Sequence, residues 1–585
     1  MQYDWDLSPL YKGFDDPAFL QDIENLRKKA DELIAFSKTL DAIAPLEGLK
    51  RGTQLLEETI LLTDHINPYI RLRLATNTTD PEATAWRGKF NAITASYAGA
   101  EAAYKLWAGK LPELEQLLEQ DEILKAYKFY YTQLADSCKY LMNSDREEAV
   151  AAMNIPGSKA WASMRGVITS RATGQFRGQT KTLTAIRALA SDDDPDVRRG
   201  AFDAEMDCYE TIKDPIAHAM NALKVATNTE ARMRGYESPL DWTLKKDRMQ
   251  HKTLDAMFEA VKDSLPQLQR YMKTKALYLG HKNGMPWYDI SAPVGAAGKT
   301  YSPEDARDYL LETFYAFDDE LGGMMETAFR DAWIDFYAKP GKRDGAFCTS
   351  CRSLGRSWVH TNFGGGFGGV KTLAHELGHA FHNICIKDHR PLNKSYGRPV
   401  SETASIFNEY VLQGAAIAAA KDPQEELAML DKCLDAEVNL IMDIYSRFLF
   451  EDEVFQRVEN EFLNADKLCQ IMVNAQKTAY GDSLDPEKLH PYMWICKPHY
   501  YGYFYYNFPY IFGRLFSLGL YTQYKAEGEA FIPKYKKLLH TTSVATVEDA
   551  AKVAGVDLTT KEFWQQSLND LIEMIDRFCE LTEKL

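Results

Sequence analysis

The sequence has no excess of basic residues and no long apolar run. Its formal net charge is −16, which argues against general affinity for nucleic acid or an anionic membrane, because both need an excess of Lys and Arg. The richest uncharged apolar stretches, Tyr410 to Ala420 and Tyr500 to Gly513, are shorter than the roughly 20 residues that span a bilayer. The first residues carry early aspartates and no apolar signal core. We therefore expect a soluble, cytoplasmic protein with no nucleic-acid or membrane partner.

Cysteine is scarce, and the cysteines show no disulfide framework. The nine cysteines are an odd number spread over the whole length, which favours reduced thiols over disulfides. Cys348 and Cys351 have the C-x-x-C spacing of redox and zinc sites, but there is no second such pair to complete a four-thiolate zinc site. We interpret them as two incidental thiols in a loop.

Glycine motifs for nucleotide binding are also missing. The stretch FGGGFGGV, from Phe363 to Val370, lacks the Gly-Lys-Ser/Thr ending of a P-loop and does not match the dinucleotide-binding pattern. We interpret it as a flexible turn. It lies in the segment Lys339 to Gly369, where strand signals predict a hairpin or a small sheet, and Gly280 to Thr300 is predicted to be a loop.

Helical periodicity, by contrast, runs through most of the chain, whose 45% hydrophobic and 26% charged residues are typical of a globular protein. An amphipathic helix is predicted with Asp16 as N-cap and Pro17 as its first residue. Its apolar positions are Leu20, Ile23, Leu26, Ala30, Leu33 and Ile34. The same start signal recurs at Asp194-Pro195 and Ser302-Pro303, and the apolar stripe from Thr560 onward predicts another helix.

One short motif carries chemistry. His375 and His379 are four residues apart, so on a helix both imidazoles project from one face and can bind one metal ion. Glu376 lies beside them, where its carboxylate can take a proton from a bound water. With 12 His in the chain, about 0.03 copies of HExxH are expected by chance. The motif therefore predicts a catalytic zinc site, with one Zn²⁺ per chain.

A catalytic zinc needs a third protein ligand and one open position. The metzincin arrangement would require Gly at position 382 and His at position 385, but these are His382 and Cys385, so that class is excluded. The thermolysin-type arrangement takes a carboxylate from a second helix. Glu402 and Glu409 are two helical turns apart and share a face, and we assign Glu402 as the third ligand and Glu409 as the acceptor that orients a ligand imidazole.

His382 is a rival third ligand, because it follows His379 by three residues on the same face. Three imidazoles on one rigid helix would span about 10 Å at 1.5 Å rise per residue, which is too far to converge on one ion. We therefore expect His382 either to contact the metal ligands without binding the metal or to pack in the core.

These pieces resemble the oligoendopeptidase F family, zinc metallopeptidases related to thimet oligopeptidase. The matching stretches are Leu373 to His382, Ser401 to Ser405 and the aromatic block Pro498 to Tyr506. The resemblance runs from about residue 190 onward. It predicts an N-terminal helical region over residues 1–189 and a zinc metallopeptidase catalytic domain over residues 190–585.

The resemblance implies a mainly α fold: a two-lobed helical ellipsoid around a deep substrate channel, with a small sheet beside the HExxH helix. Short unstructured peptides would enter, and the strand from Trp358 to Phe363 would be the edge that pairs with their backbone. It also implies that His499 and Tyr505 face the zinc and donate to the oxyanion. After Tyr505 the sequence departs from the family pattern.

From these residues we expect a zinc endopeptidase that cleaves short oligopeptides with Glu376 as general base. Two alternatives stay open at this point. A zinc carboxypeptidase can also use HExxH, but it needs a cation for the terminal carboxylate of its substrate. A peptide-binding protein that keeps zinc without turnover would not need a base at Glu376.

Overall fold

The computed structural model describes residues 2–294 and 299–584, so four residues of the predicted loop Gly280 to Thr300 lie outside the described part. Helices dominate. In chain order, the first are α1 (Pro17–Ser37), α2 (Pro45–Thr76), α3 (Pro81–Gly109), α4 (Leu114–Leu118), α5 (Glu122–Ala126), α6 (Lys128–Cys138), α7 (Ser144–Asn154), α8 (Ala160–Arg171), α9 (Leu183–Ala188), α10 (Pro195–Arg234), α11 (Pro239–Lys246) and α12 (His251–Tyr278).

The later helices are α13 (Pro303–Tyr315), α14 (Asp319–Arg330), α15 (Phe367–Cys385), α16 (Arg398–Ser401), α17 (Thr403–Ala418), α18 (Pro423–Arg457), α19 (Ala465–Tyr480), α20 (Met493–Cys496), α21 (His499–Gly502), α22 (Phe508–Glu527), α23 (Ile532–Thr541), α24 (Val547–Lys552) and α25 (Lys561–Lys584). Short 3₁₀ turns lie at Leu189–Ser191, Trp287–Asp289, Pro391–Asn393 and Gly528–Phe531, and a π turn at Ile155–Lys159.

The helix starts that the sequence predicted are confirmed. The Asp16 side chain accepts a hydrogen bond from the Ala18 amide, and α1 begins at Pro17. Ser302 and Asp305 form a reciprocal capping box before α13. These caps work because the first amides of a helix have no partner within the helix.

The predicted buried face of α1 is right except at its first position. Ile23, Leu26 and Leu33 are buried, but Leu20 is 45% exposed and Phe19 is buried instead. One residue turns a helix by about 100°, so Phe19, four positions before Ile23, falls on the buried stripe and Leu20 falls beside it.

The predicted sheet is confirmed, and its strand order corrects one expectation. The strands are β1 (Thr173–Phe176), β2 (Gln179–Thr182), β3 (Ile334–Asp335), β4 (Phe347–Cys351) and β5 (Arg356–His360). β1 and β2 form a hairpin, and the other three form a sheet in the order β3-β5-β4. β5 pairs in parallel with β3 and antiparallel with β4. The expectation that the strand at Trp358 is an edge is therefore wrong, because its main-chain groups bond to neighbours on both sides.

Two smaller interpretations also change. Cys348 and Cys351 lie on strand β4 rather than in a loop, and both thiols are free. The Gly-rich stretch is a turn only as far as Gly366, which precedes the first residue of α15. The glycines after Phe367 are helical, because the apolar period of α15 extends the helix back to that point.

The contacts of the chain divide it into two compact units. The first unit contains Met1–Tyr140, Gly298–Leu412 and Gln523–Gly555, and the second contains Leu141–Ala297, Gln413–Thr522 and Val556–Leu585. Each has its own apolar core. The boundary predicted between residues 189 and 190 stays a prediction. In the described part of the chain, no helix combines the length and the apolar character that crossing a membrane requires.

Candidate metal centre

Helix α15, in the first unit, carries the two predicted histidine ligands. The ring centroids of His375 and His379 are 5.0 Å apart, and their side chains keep 24% and 20% of their exposure. Leu373, Leu377 and Phe381 on the same helix are fully buried. The helix is therefore anchored by its apolar face and presents both imidazoles at its accessible side.

Glu402 comes to the same point from the junction between α16 and α17. Its Oε2 lies 3.3 Å from His375 Nε2 and 3.3 Å from His379 Nε2, and it accepts a hydrogen bond of 2.8 Å from Ser405 Oγ. One ligand atom from each of the three residues lies within 4.8 Å of the others. The structure thus brings together the three side chains that the sequence predicted as ligands.

This donor set fits a catalytic zinc ion. Two imidazoles and one carboxylate are a typical three-ligand set that leaves a fourth position open. Zinc bonds of 2.0–2.1 Å in a tetrahedral arrangement separate neighbouring ligand atoms by about 3.3–3.4 Å, and Glu402 Oε2 has this separation from both histidines.

Glu409 holds the first histidine in position. Its Oε1 accepts a hydrogen bond from His375 Nδ1 at 2.6 Å, and its other oxygen lies 3.2 Å from Lys371 Nζ. Because Nδ1 carries the proton that Glu409 accepts, Nε2 of His375 is left to face Glu402 and a metal. Lys371, one helical turn before His375, was not predicted; its four-residue spacing from the motif was the available signal.

The pKa values show that the site attracts positive charge. Burial lowers the pKa of His375, but its bonds to Glu402 and Glu409 outweigh this and raise the pKa to about 9. Burial raises the pKa of Glu402, yet the bonds to His375 and His379 hold it far below its usual range. The Glu402 carboxylate thus stays ionised and favours a cation between these side chains.

Glu376 is 6% exposed, and burial raises its pKa above the ordinary glutamate value, against the charges of the two histidines. The carboxylate is close enough to strand β4 that its charge contributes, after burial, to raising the pKa of the Cys348 thiol to about 12. A carboxylate with a raised pKa is a stronger base than a solvated one and suits proton transfer.

Two residues that sequence reasoning missed allow α15 and α17 to come together. A Cβ added at Gly378 would lie 2.6 Å from Ala404 O and 2.6 Å from Ser405 Cα, so only glycine permits this approach. Asn408 Nδ2 donates to Ala374 O at 3.1 Å. The glycine inside HELGH was the visible signal, because a glycine within a helix weakens it and needs a packing reason.

His382 lies in the core, one of the two roles expected for it. It is fully buried, its Nε2 is 2.8 Å from Thr542 Oγ1, and its ring stacks on Tyr396 with centroids 4.3 Å apart. Burial lowers its pKa to about 3. It is outside the group of side chains that can share one metal ion.

His499 and Tyr505 lie in the second unit. His499 begins α21, stacks on Tyr506 with centroids 4.7 Å apart, and lines a cavity of about 630 Å³. Burial, with the nearby charges of Arg447 and Lys497, lowers its pKa. Tyr505 is 3% exposed, and its hydroxyl donates to Asp452 Oδ1 at 2.8 Å. Their predicted roles toward the metal stay predictions.

Comparison with known proteins identifies relatives over most of the chain. The profile of Peptidase family M3 matches residues 188–570. Oligopeptidase PepF of Bacillus subtilis is 26% identical over 486 residues, which cover 81% of this chain and 72% of that protein. An oligoendopeptidase F homolog of Borreliella burgdorferi is 22% identical over 584 residues, which cover 97% of this chain and 96% of that protein.

Solved structures share the fold. A chain from Chlamydophila abortus superposes with a TM-score of 0.85 at 19% identity, over 99% of this chain and 98% of that one. Oligoendopeptidase-F from Enterococcus faecium superposes with a TM-score of 0.70 at 19% identity, over 97% of this chain and 99% of that one. The mainly helical fold with small sheets is therefore the fold of these proteins.

Proposed function

This chain belongs to Peptidase family M3, and we propose that within this family of metallo-oligopeptidases it is a zinc-dependent endopeptidase that cleaves internal bonds of short peptides. The observation that carries the proposal is the convergence of His375, His379 and Glu402, whose ligand atoms lie within 4.8 Å of one another. Glu376 follows the first ligand in sequence and has a raised pKa. A metal site with an adjacent buried base is the arrangement that hydrolysis of a peptide bond requires.

In the proposed mechanism, His375, His379 and Glu402 hold the ion. When bound, zinc supplies Lewis acidity, which lowers the pKa of a coordinated water to about 7 and polarises the scissile carbonyl. Glu376 takes the proton of the attacking water and passes it to the leaving amine. Glu409 keeps the proton of His375 on Nδ1, so that Nε2 remains a ligand.

His499 and Tyr505 are the proposed donors to the negative charge that grows on the carbonyl oxygen. His499 lines a cavity, as a donor to substrate must. Tyr505 can take this role only under one condition, because its hydroxyl already donates to Asp452. To act on substrate, Tyr505 would have to give up this bond. Tyr506, stacked on His499, and Tyr510, which lines the same cavity, are the alternatives within the block.

The proposed substrates are short, unstructured peptides, and stably folded proteins are proposed to be excluded. Strand β4 supports backbone recognition of such peptides: it is an edge strand of its sheet, and Cys348 on it lies near Glu376. An extended peptide that paired with the outer edge of β4 would lie along the metal centre.

The test is cleavage of a peptide of about ten residues that is acetylated at one end and amidated at the other. We expect internal cleavage that depends on zinc and is lost in Glu376→Gln, while a stably folded globular protein survives. A carboxypeptidase would cut only the peptide with a free carboxylate. A non-catalytic protein would bind the peptide and leave it intact. Either result would contradict the proposal.

A further inference from the structure

A second cavity, of about 400 Å³, lies in the first unit and is lined by arginines. Its lining residues are Arg71, Leu74, Ala75, Thr78, Thr84, Arg87, Arg343 and Phe347. Arg71 is on α2, Arg87 is on α3, and Arg343 is in the segment that precedes β4. Three separate pieces of the chain thus direct a guanidinium to one concave surface, and none of these residues belongs to the metal centre.

Backbone hydrogen bonds hold the three pieces together. The Arg343 amide donates to Ala75 O at 2.9 Å, and the Thr78 amide donates to Gly341 O at 2.7 Å. Asp80 caps the first turn of α3 through its bonds to the amides of Glu82 and Ala83. Main-chain bonds therefore fix the segment that carries Arg343 against the end of α2 and the turn before α3.

The three guanidiniums have no acidic partner in the part of the chain that the structure describes. Within residues 2–294 and 299–584, no carboxylate oxygen lies within 4.0 Å of a side-chain nitrogen of Arg71, Arg87 or Arg343. The neighbouring Arg73 shows the contrast, because it pairs with Asp80 at 3.0 Å. Arg343 instead has its guanidinium carbon 5.6 Å from the centre of the Phe347 ring.

Arg87 is the most buried of the three arginines. Its Nε is buried and has no hydrogen-bond partner in the described part of the chain. Burial and then the charge of Arg71 lower its pKa, so the two cations repel each other in a partly desolvated place. Leaving a buried donor unpaired costs free energy, and an anion in the cavity would remove both this cost and the repulsion.

We propose that this cavity binds an oxyanion of the phosphate class, as free phosphate or as the phosphoryl group of a small molecule. Guanidinium groups bind phosphate oxygens through forked hydrogen bonds, and three positive charges match a multivalent anion better than a single carboxylate. The volume is in the range of small-molecule sites. The site is concave on a chain of net charge −16, which disfavours a nucleic acid as the ligand.

The experiment measures binding of inorganic phosphate, pyrophosphate and ATP to the zinc-loaded enzyme by calorimetry, with NaCl at matched ionic strength as the reference. The variants are Arg87→Gln and Arg71→Gln, with Arg87→Lys as a variant that keeps the charge. Arg171→Gln is the matched control, because Arg171 is exposed on α8 in the other unit and its change removes the same charge.

We expect phosphate-dependent binding that weakens about 10- to 100-fold in Arg87→Gln and Arg71→Gln, less in Arg87→Lys, and not at all in Arg171→Gln. Without phosphate, Arg71→Gln should melt at a higher temperature than the native protein, since one repulsion is gone, and phosphate should raise its melting temperature less. Tighter binding of ATP than of phosphate would assign the site to a phosphorylated metabolite. Equal binding of the two would assign the site to free phosphate.

Three results would overturn the proposal. One is no binding beyond that of NaCl. Another is binding that both arginine variants retain, which would place the anion elsewhere, for example at the metal centre. The third is binding of acetate or a peptide carboxylate in the cavity with no binding of phosphate.

Discussion

The metal centre on α15 and the aromatic block from His499 to Tyr510 differ in how sequence spacing relates to side-chain direction. His375 and His379 lie within one unbroken helix, and their four-residue spacing places both rings on one face. The block is broken into α21, an irregular segment and the start of α22. Tyr505 has a left-handed φ of 46°, so its side chain departs from any helical register. Spacing along the sequence predicts direction only where the helix is continuous.

Burial divides the block in the same way. Tyr500, Tyr501 and Tyr505 are buried, whereas Tyr503 is 60% and Tyr510 is 38% exposed. Residues that are neighbours in sequence therefore have opposite surroundings. In α15, by contrast, the buried and accessible positions alternate as the helical period predicts. Five measurements would sharpen or break this contrast, and the largest expected effect concerns the metal centre.

Glu376→Gln and Glu402→Gln should fail in different ways. Glu376→Gln removes the base and should lower kcat by about 10²–10⁴-fold with zinc retained. Glu402→Gln removes a ligand and should lower zinc occupancy. Metal analysis of both variants, paired with peptide cleavage, makes the distinction. Equal loss of zinc in the two variants would contradict the roles given to them.

His499→Ala tests whether the aromatic block takes part in the same reaction. Removal of one oxyanion donor should lower kcat by about 10²–10³-fold while KM and zinc content stay nearly unchanged. Steady-state kinetics with a capped peptide measures this. An unchanged kcat would mean that the block packs and that the metal centre stabilises the oxyanion alone.

Tyr505→Phe separates two roles of one hydroxyl. As an oxyanion donor, Tyr505 should lose about 10²–10³-fold in kcat on this change, in addition to the stability that its bond to Asp452 provides. As a partner of Asp452 alone, Tyr505 should keep kcat on this change and lose about 1–3 kcal/mol in the free energy of unfolding, because its hydrogen bond to a half-buried carboxylate is lost. The second result would move the donor role to Tyr506 or Tyr510. The variants Tyr506→Phe and Tyr510→Phe would then be tested in the same way.

Glu409→Gln should weaken zinc binding by about 10–100-fold, because the neutral amide oxygen of Gln is a weaker acceptor for the Nδ1 proton of His375 than a carboxylate is. Lys371→Met is the matched variant, since Lys371 contacts the other oxygen of Glu409 and not the histidine. We expect a smaller loss in Lys371→Met. Competition with a zinc chelator measures both affinities, and an equal loss would show that the site needs the Lys371–Glu409 ion pair as much as the bond from Glu409 to His375.

His382→Gln should change the pH dependence of stability. Burial lowers the folded pKa of His382 from 6.5 to about 3, so below pH 6.5 the unfolded chain binds a proton that the folded chain does not. The free energy of unfolding should therefore fall by about 1.3 kcal/mol from this residue between pH 7 and 5.5. Urea unfolding of the metal-free protein, compared with the variant, isolates this part. If the free energy of unfolding had the same pH dependence in the native protein and in the variant, this expectation would be contradicted.

Much of the site was predictable because it depends on local geometry. The spacing of His375 and His379 follows from the helical period alone, and Glu402 directly precedes α17, the helix that carries Glu409. The N-caps of α1 and α13 were predictable for the same reason, since a cap involves residues within one turn. The central position of β5 was not, because it depends on β3, a two-residue strand whose pairing is set by contacts distant in sequence.

The sequence by itself determined which side chains can hold a metal, because a four-residue spacing on one helix leaves few alternatives. The tertiary structure decided the rest. It brought Glu402 to 3.3 Å from both histidines through a close approach that only Gly378 permits. It bonded Tyr505 to Asp452 and gathered three arginines, from residues 71, 87 and 343, around one cavity. Contacts between segments so distant along the chain depend on packing, which no local pattern encodes.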